Sequence, residues 1–311
     1  MPEIVTLTMN PALDIATATD AIVPEIKLRC EAPRYDPGGG GINVARAATM
    51  LGGDALAVFP AGGASGQMID AMLGRERVPH AAVTIAGITR ESLAVVERQS
   101  GRQYRFLLPG PAVGEHDQEQ VLDRLAGLAA GARFIVASGS LPPGVSNNFY
   151  ARVGVIAERC GARFVLDSSG AALVGAGAAF LIKASLRELA HLYGKSIDDV
   201  ATQESAARRV VAAGRCEVLV VSLGAAGALL ATADGCHRFP AANVRVVGSI
   251  GAGDSMLAGI LVALVRGWPI GEAVRFGNAA GAAALLRPGT ELCRRDDTER
   301  LYRDLAAGST S

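Results

Sequence analysis

Lysine is nearly missing from this chain of 311 residues. Only Lys27, Lys183 and Lys195 occur, and arginine supplies the other basic side chains. Basic and acidic residues balance at 30 each, so the formal net charge is zero. No Lys/Arg-rich run appears, which argues against a nucleic-acid partner. Cysteine is also scarce. Cys30, Cys160, Cys216, Cys236 and Cys293 stand far apart, with no CxxC pair and no Cys/His metal spacing. An odd count without a framework fits free thiols in a reducing cytoplasm. The N-terminal MPEIVTLTMNPALD has no basic leader region, so no signal peptide is expected. No uninterrupted apolar stretch reaches the ~18 residues of a membrane span.

Several catalytic signatures are absent as well. The four histidines, His80, His116, His191 and His237, have no ligand spacing. No GxSxG elbow supports a serine hydrolase. No GKS or GKT marks a Walker A loop, and no GxGxxG with a following acidic residue supports a dinucleotide-dependent oxidoreductase.

Glycine is what the chain has in excess. Its 38 glycines are about 12% of the residues, against a usual ~7%. With only 14 prolines and no long Gly/Ser tract, this excess reads as many tight turns rather than disorder. Half the residues are hydrophobic, enough for a large core.

Short apolar runs alternate with helical patterns. Strands are expected at Ile4–Thr8, Ala55–Phe59, Arg133–Ala137, Arg163–Asp167, Phe180–Lys183, Glu217–Ser222 and Gly227–Ala231. Helices are expected at Ile42–Leu51, Gln67–Leu73, Asp117–Ala130, Asn147–Arg159, Ser196–Ala213, Asp254–Val265 and Ile270–Leu286. Runs such as FIVAS and VLVVS are continuously apolar, as strands buried on both faces are. The alternation predicts a doubly wound, mostly parallel α/β sheet over one domain, residues 1–311. Two segments interrupt it. Residues 90–110 read as two strands around Ser100-Gly101, and residues 14–36 are extended without a helical period. Together they could form a small β-sheet lid, the competing reading being an ordinary surface hairpin. Its open face would need a partner, here a second copy of the chain. The C-terminal GSTS is read as a frayed tail.

Two glycine-rich stretches carry the chemistry. Near the C-terminus Val246-Val247 leads through Gly251-Ala252-Gly253-Asp254 into an apolar helix. Small residues at a helix tip aim backbone N–H groups and a positive dipole end at one point, which suits a phosphoryl group in transfer. Asp254 beside such an anion makes sense as the base that deprotonates an attacking hydroxyl. It could equally be an ordinary helix cap. Near the N-terminus Gly38-Gly39-Gly40-Gly41 precedes a helix carrying Asn43, where a ligand can approach the backbone closely.

Weaker signals sit at expected strand ends, where open α/β sheets bind ligands. Asn10-Pro11-Ala12-Leu13-Asp14 offers a carboxylate for sugar hydroxyls or only a turn. Ser138-Gly139-Ser140 offers donors for a substrate phosphate or only leads a Pro-Pro turn. Ser222, Leu223, Gly224, Ala225, Ala226 and Gly227 form a loop that fits a nucleotide or a plain hairpin. Lys183-Ala184-Ser185-Leu186-Arg187-Glu188 could meet phosphates and Mg²⁺ or simply begin a helix.

These pieces occur in order across nearly the whole chain. With GGGGINVARA at one end and GAGDSMLAG at the other, the sequence resembles the PfkB branch of the ribokinase-like carbohydrate kinases. The stretches KLRC, FPAGG, QYRF, SGSLPPGV, DSSG, VVSLG and RFGNAAG are most similar to members acting on fructose 6-phosphate. Relatives acting on fructose 1-phosphate or tagatose 6-phosphate usually have lysine where this chain has Gly40.

The resemblance implies a three-layer α/β/α fold and ATP-dependent phosphorylation of fructose 6-phosphate at its 1-hydroxyl. It implies Asp254 as base and the N–H groups of Gly251, Ala252, Gly253 and Asp254 as the anion hole. Asp14, Gly39 and Asn43 would hold the sugar, with Arg90 and Ser140 on its 6-phosphate. Lys27, Lys183, Ser185, Arg187, Gly248 and the Ser222–Gly227 loop would line the nucleotide, with Asn278 and Gly281 near the adenine. Glu188 would hold Mg²⁺ through water. A monovalent cation, K⁺ for instance, would sit on Gly248–Ile250 and Ala284–Glu291, mostly on backbone carbonyls, with Arg287 and Gly289 between. One departure stands out. The family usually has Asn-x-x-Glu near Mg²⁺, and this chain has Ser185-x-x-Glu188 with Ala184 in place of proline. That exchange is expected to alter Mg²⁺ or nucleotide affinity, and it leaves a non-catalytic sugar-phosphate or nucleotide sensor as the rival reading.

Overall fold

The computed structural model describes residues 1–307; the expected C-terminal tail, from residue 308 on, lies outside the described residues. The first third of the chain runs through β1 (Ile4–Leu7), β2 (Ala12–Thr19), β3 (Arg34–Gly38), α1 (Gly40–Met50), β4 (Ala55–Ala61), α2 (Gly63–Arg75), β5 (His80–Thr84), β6 (Arg90–Glu97) and β7 (Gln103–Leu107). The middle holds α3 (Glu115–Leu128), β8 (Phe134–Ser138), α4 (Phe149–Arg159), β9 (Arg163–Asp167), α5 (Gly170–Gly175), β10 (Ala179–Ser185), α6 (Leu186–Tyr193) and α7 (Val200–Ala212). The last part has β11 (Cys216–Ser222), β12 (Ala228–Thr232), β13 (Gly235–Phe239), α8 (Ala252–Val265), α9 (Ile270–Leu285) and α10 (Arg295–Ala307).

Nine strands make the main sheet, in the order β13-β12-β11-β10-β9-β8-β1-β4-β5. From β5 to β11 neighbours are parallel, and β12 and β13 add an antiparallel edge. The apolar strands feed two cores by strict alternation. In β8, Phe134 and Val136 face one core while Ile135 and Ala137 face the other. The first core packs the sheet against α1, α8, α9 and α10, and the second packs it against α3 to α7. Helices on both faces explain why the strands read as unbroken hydrophobic runs.

Helix α8 is apolar almost all round because α1 and α9 enclose it. Its Gly259 lies so close to Gly277 of α9 that a Cβ would come within 2.9 Å of the Gly277 Cα. Trp268, in the turn between α8 and α9, then packs with Phe276 of α9 and Tyr302 of α10, with ring centroids 5.4 to 5.6 Å apart.

The interrupting segments form a separate four-stranded sheet, ordered β3-β2-β6-β7. The extended reading of 14–36 is too broad. Only the ends are strands, and residues 20–33 are irregular and largely exposed, with no apolar alternation to hold a ladder. The expected helix Ser196–Ala213 is also corrected. It begins at Val200, capped by Asp199, and α6 stands ahead of it as a separate helix ended by left-handed Gly194. Sequence reasoning missed β5, β13, α5 and α10. The last is strongly polar and buries only Thr298 and Leu301.

Register separates the lid's two faces. The row Asp36–Asp14–Ser92–Leu107 lies on one side. The row Tyr35–Ile15–Leu93–Phe106 lies on the other, because side chains alternate along a strand. The first face looks toward the carboxyl edge of the main sheet, where Asp14, Ser92 and Arg105 line a small gap against Ile250 and Thr290. The second leaves Phe106 half-exposed.

Candidate active site

Every parallel strand that ends near the centre of the sheet delivers a polar group to one edge. Asn10 follows β1, Ser138 and Ser140 end or follow β8, Asp167 ends β9, Lys183 and Ser185 end β10, and Ser222 ends β11. Strand order reverses around β1, which opens the crevice where such sheets bind ligands.

Helix α8 points its first turn into this crevice. Gly251 caps it in the left-handed conformation (φ 77°), a geometry glycine adopts freely. A Cβ at Gly251 would also press against Leu292. Asp254 is therefore not the cap. It lies within the first turn, where the N–H groups of Ala252, Gly253 and Asp254 have no helical carbonyl to bond. Its carboxylate accepts from Asn43 Nδ2 at 2.9 Å, across the gap between α8 and α1. Burial pushes the Asp254 carboxyl above its ordinary pKa, and Lys183, the Asn43 bond and Arg105 oppose that rise.

The four glycines before α1 have distinct structural reasons. A Cβ on Gly38 would overlap the Asp14 carboxylate, and one on Gly40 would overlap the Ser138 hydroxyl. One on Gly41 would crowd Thr8 Oγ1, which accepts from the Ile42 N–H at 2.8 Å. Gly39 holds a φ of 114° against Thr8 and Pro11. The loop is thus a fitted backbone surface between Asp14 and β8.

Asp14 is raised to about 6, mainly by burial, with Arg105 and Arg90 pulling it down. Arg90 and Ser140 converge on one residue. The Arg90 guanidinium donates to the Asn10 carbonyl at 3.2 Å, and Asn10 Nδ2 donates to Ser140 Oγ at 3.1 Å. Asn10 Oδ1 is buried there without a partner.

Lys183 Nζ sits 3.2 Å from Asp167, and both are largely buried. Burial draws the lysine's pKa down, but Asp167, Asp254 and Glu188 outweigh it and hold it above the ordinary value. Asp167 is raised to about 6 by burial. Lys183 Nζ lies so near the helix tip that a Cβ on Gly253 would come to 2.7 Å from it.

Ser185 and Glu188 form a reciprocal capping box. Glu188 accepts from the Ser185 N–H at 2.6 Å, and Ser185 Oγ accepts from the Glu188 N–H. Here the helix-start reading of this segment holds, and the serine hydroxyl is engaged locally. Arg187 is exposed one turn edge away. Among the described residues no three His, Cys, Asp or Glu side chains cluster as a metal cage. Mg²⁺ does not need one, since it retains waters and takes one or two carboxylates. Glu188 and Asp167, flanking Lys183, fit that donor set.

Beside the helix tip opens a cavity of about 560 Å³. Ser222, Gly224, Ala225 and Gly227 form one wall, the segment Ala241–Val246 another, and Gly253, Asn278 and Gly281 the floor. Leu223 is buried behind it, and Ala226 closes the short 3₁₀ turn. Asn278 donates to the Pro240 carbonyl at 2.7 Å and so anchors the wall. A larger concavity, about 1060 Å³, lies at the opposite amino edge of the strands near Arg163, Ala179 and Cys216. It has none of the converging charges described above, and size alone does not make a site.

Gly248 packs on the turn after α9. A Cβ there would overlap the Arg287 carbonyl and lie 3.4 Å from that of Gly289. Neutral carbonyls gathered this way suit a weakly charged cation. Of the other residues expected there, Ile250 faces Asp14, the Ala284 carbonyl accepts from the Arg287 N–H, and Glu291 is held by Arg34 at 2.6 Å. Lys27 is exposed in the irregular lid segment, with no bond to the helix tip. Sequence reasoning missed three residues, Asp167, Arg105 and Arg46. Each stands in a stretch noted for other reasons (DSSG, QYRF, GGGGINVARA), and only the topology turns it inward.

A glycine-capped helix tip, a carboxylate held in its first turn and a small second β-sheet beside a doubly wound sheet are the features of a sugar-kinase type of α/β protein. The chain belongs to the pfkB family of carbohydrate kinases, whose model matches residues 7–297. It is 52% identical over 311 residues to ATP-dependent 6-phosphofructokinase isozyme 2 of Mycobacterium tuberculosis, covering 99% of this chain and 91% of that protein. The isozyme 2 of Escherichia coli is 43% identical, with 97% and 98% covered. The crystal structure of Escherichia coli phosphofructokinase-2 in complex with potassium superposes with a TM-score of 0.93 at 42% identity, over 98% of this chain and all of that one.

Proposed function

We propose that this chain transfers the terminal phosphoryl group of ATP to the 1-hydroxyl of fructose 6-phosphate. The observation that carries the reading is the partly buried Asp254 carboxylate in the first turn of α8, held by Asn43 and next to Lys183. The names of the Mycobacterium tuberculosis and Escherichia coli relatives support the substrate.

In this reading fructose 6-phosphate lies between the lid and α1. Arg90 and Ser140 bind its 6-phosphate, while Asp14, the Gly39 backbone and Asn43 orient its hydroxyls. Asp254 accepts the proton of the 1-hydroxyl as that oxygen attacks. General-base help of this kind contributes ~10²–10⁴-fold. The N–H groups of Gly251 to Asp254 and the Lys183 ammonium face the charge on the moving phosphoryl. ATP occupies the 560 Å³ cavity, against the Ser222–Gly227 loop and below Asn278 and Gly281, with Gly248 at its phosphate side. Arg187 and Lys27 approach the phosphates from the rim. Mg²⁺, held through water by Glu188, would neutralise charge on the ATP phosphates. The carbonyls around Gly248, Arg287 and Gly289 would take K⁺ and steady the helix tip.

The whole chain acts as one catalytic unit with its lid. The outer row Tyr35–Ile15–Leu93–Phe106, in which Tyr35 and Phe106 are exposed, supports a homodimer formed lid to lid. The five free cysteines fit a cytoplasmic setting; among the described residues no helix is long and apolar enough to cross a membrane.

The test is ADP release over a panel of fructose 6-phosphate, fructose 1-phosphate, tagatose 6-phosphate and fructose, with and without K⁺. The expected result is a kcat/KM for fructose 6-phosphate at least about tenfold above the rest, a margin set by contacts to the 6-phosphate for fructose 1-phosphate and fructose, and by contacts to the ring hydroxyls for tagatose 6-phosphate. A preference for another sugar would overturn the substrate. Binding without turnover across the panel would make the chain a sensor.

A further inference from the structure

Arg46 on α1 is only 3% exposed. Its Nε and Nη2 fork onto the two Glu76 carboxylate oxygens, each at 2.7 Å, just past the end of α2. Its Nη1 donates to the Pro37 carbonyl of lid strand β3 at 3.0 Å and lies 3.5 Å from Asn43 Oδ1. Asp36, also on β3, is 3.7 Å away and accepts from Thr290.

From this arrangement we infer that Arg46 is a positioning residue for phosphoryl transfer: it fixes which end of the Asn43 amide faces Asp254, and so holds the base in line. The inference rests on the reading of Asp254 as the base. A guanidinium has five donors and no acceptor, so only Oδ1 of Asn43 can face it favourably. An ionised carboxylate only accepts, so only Nδ2 can face Asp254. One amide orientation meets both demands. Turned over, the amide would set its oxygen against the Asp254 carboxylate and its NH₂ against a cation. The fork on Glu76 and the bond to Pro37 keep Arg46 from following Asn43. The same contacts tie α1 to the lid strand, so lid and base share one anchor.

Lysine cannot replace this. A single ammonium keeps the charge but cannot pair with Glu76 and also reach Pro37 and Asn43.

The experiment is a double-mutant cycle on kcat at saturating ATP and fructose 6-phosphate, with Arg46→Lys, Asn43→Ala and the double variant. Each is melted to verify folding. Arg46→Lys is expected to lower kcat by at least about tenfold, more than it raises KM, since small displacements of reacting groups carry penalties of up to about a hundredfold. In the Asn43→Ala background the same change is expected to lower kcat by less than about twofold, because the residue through which it acts is gone. An equal penalty in both backgrounds would overturn the inference and leave the proposed function standing. Wild-type kcat for Asn43→Ala would overturn the inference too. Asp254→Asn, run alongside, reports on the base itself, so failure there is distinguishable. Should Arg46→Lys not fold, Glu76→Gln loosens the fork with Arg46 in place and is expected to show the same dependence on Asn43.

Discussion

Replacing Gly253 with alanine adds one methyl group at the floor of the helix-tip site. The new Cβ would stand 2.7 Å from Lys183 Nζ and 3.4 Å from its Cε. Ordinary contact begins near 3.4 Å, so the ammonium must retreat by about 0.7 Å. It is buried and held by Asp167 at 3.2 Å, so the retreat stretches that pair. Removing one member of a buried pair outright costs about 3–5 kcal/mol, and a displacement should cost about 1–2. Alanine in a helix recovers roughly 0.5–1 kcal/mol over glycine. Gly253 has no positive φ to lose. The net change is about 1 kcal/mol, a fall of no more than about 3 °C in Tm for a domain of this size. Activity should respond very differently. Shifting a preorganised charge by this much at the reacting centre costs up to about a hundredfold in kcat. The assay is coupled ADP release at saturating substrates, paired with a thermal melt. A kcat within about threefold of wild type, with the methyl in place and the fold intact, would refute the role given to Lys183 and the helix tip.

Two further outcomes follow from the lid. Asp14 is raised to about 6, so between its unfolded value near 3.8 and about 6 the folded state binds the extra proton. Ionisation therefore weakens the fold as pH rises through that window. Asp14→Asn should melt at or above wild type at pH 7. The sugar, by contrast, needs the carboxylate as acceptor. The KM for fructose 6-phosphate should rise as pH falls through about 6, and Asp14→Asn should lose that limb. A limb that persists would belong to the substrate's own phosphate. Phe106→Asp places a charge in the outer apolar row and should yield a folded monomer by sedimentation, whereas an unchanged oligomer would move the interface elsewhere.

Much of this was readable from the residues. Continuous apolar runs announced β8 and β11, because strands covered on both faces lose their alternation. Glycines before α1 and α8 announced backbone that something approaches closely. The lid was visible as a break in strand–helix order. Side chains that act across elements were not visible. Asp167 reads as the end of a core strand, Arg105 as one arginine of a hairpin, and Arg46 as a polar position on α1. Asp167 and Arg105 acquire their partners through sheet order or strand register, and Arg46 through the packing of α1 on α2 and β3, none of which a local pattern encodes. The helix start expected at Ser185 is seen as a capping box with Glu188, which the Ser-x-x-Glu spacing signals. α10 was missed for a simpler reason: it buries too few apolar side chains to show a period.

The most direct test is Asp254→Asn, which keeps the side chain's size and removes its ability to take a proton. Burial already disfavours the Asp254 charge, so the variant should melt no lower than wild type. Its kcat should fall by at least about a hundredfold with little change in nucleotide affinity. Turnover near the wild-type rate would contradict the assignment of Asp254 as the base.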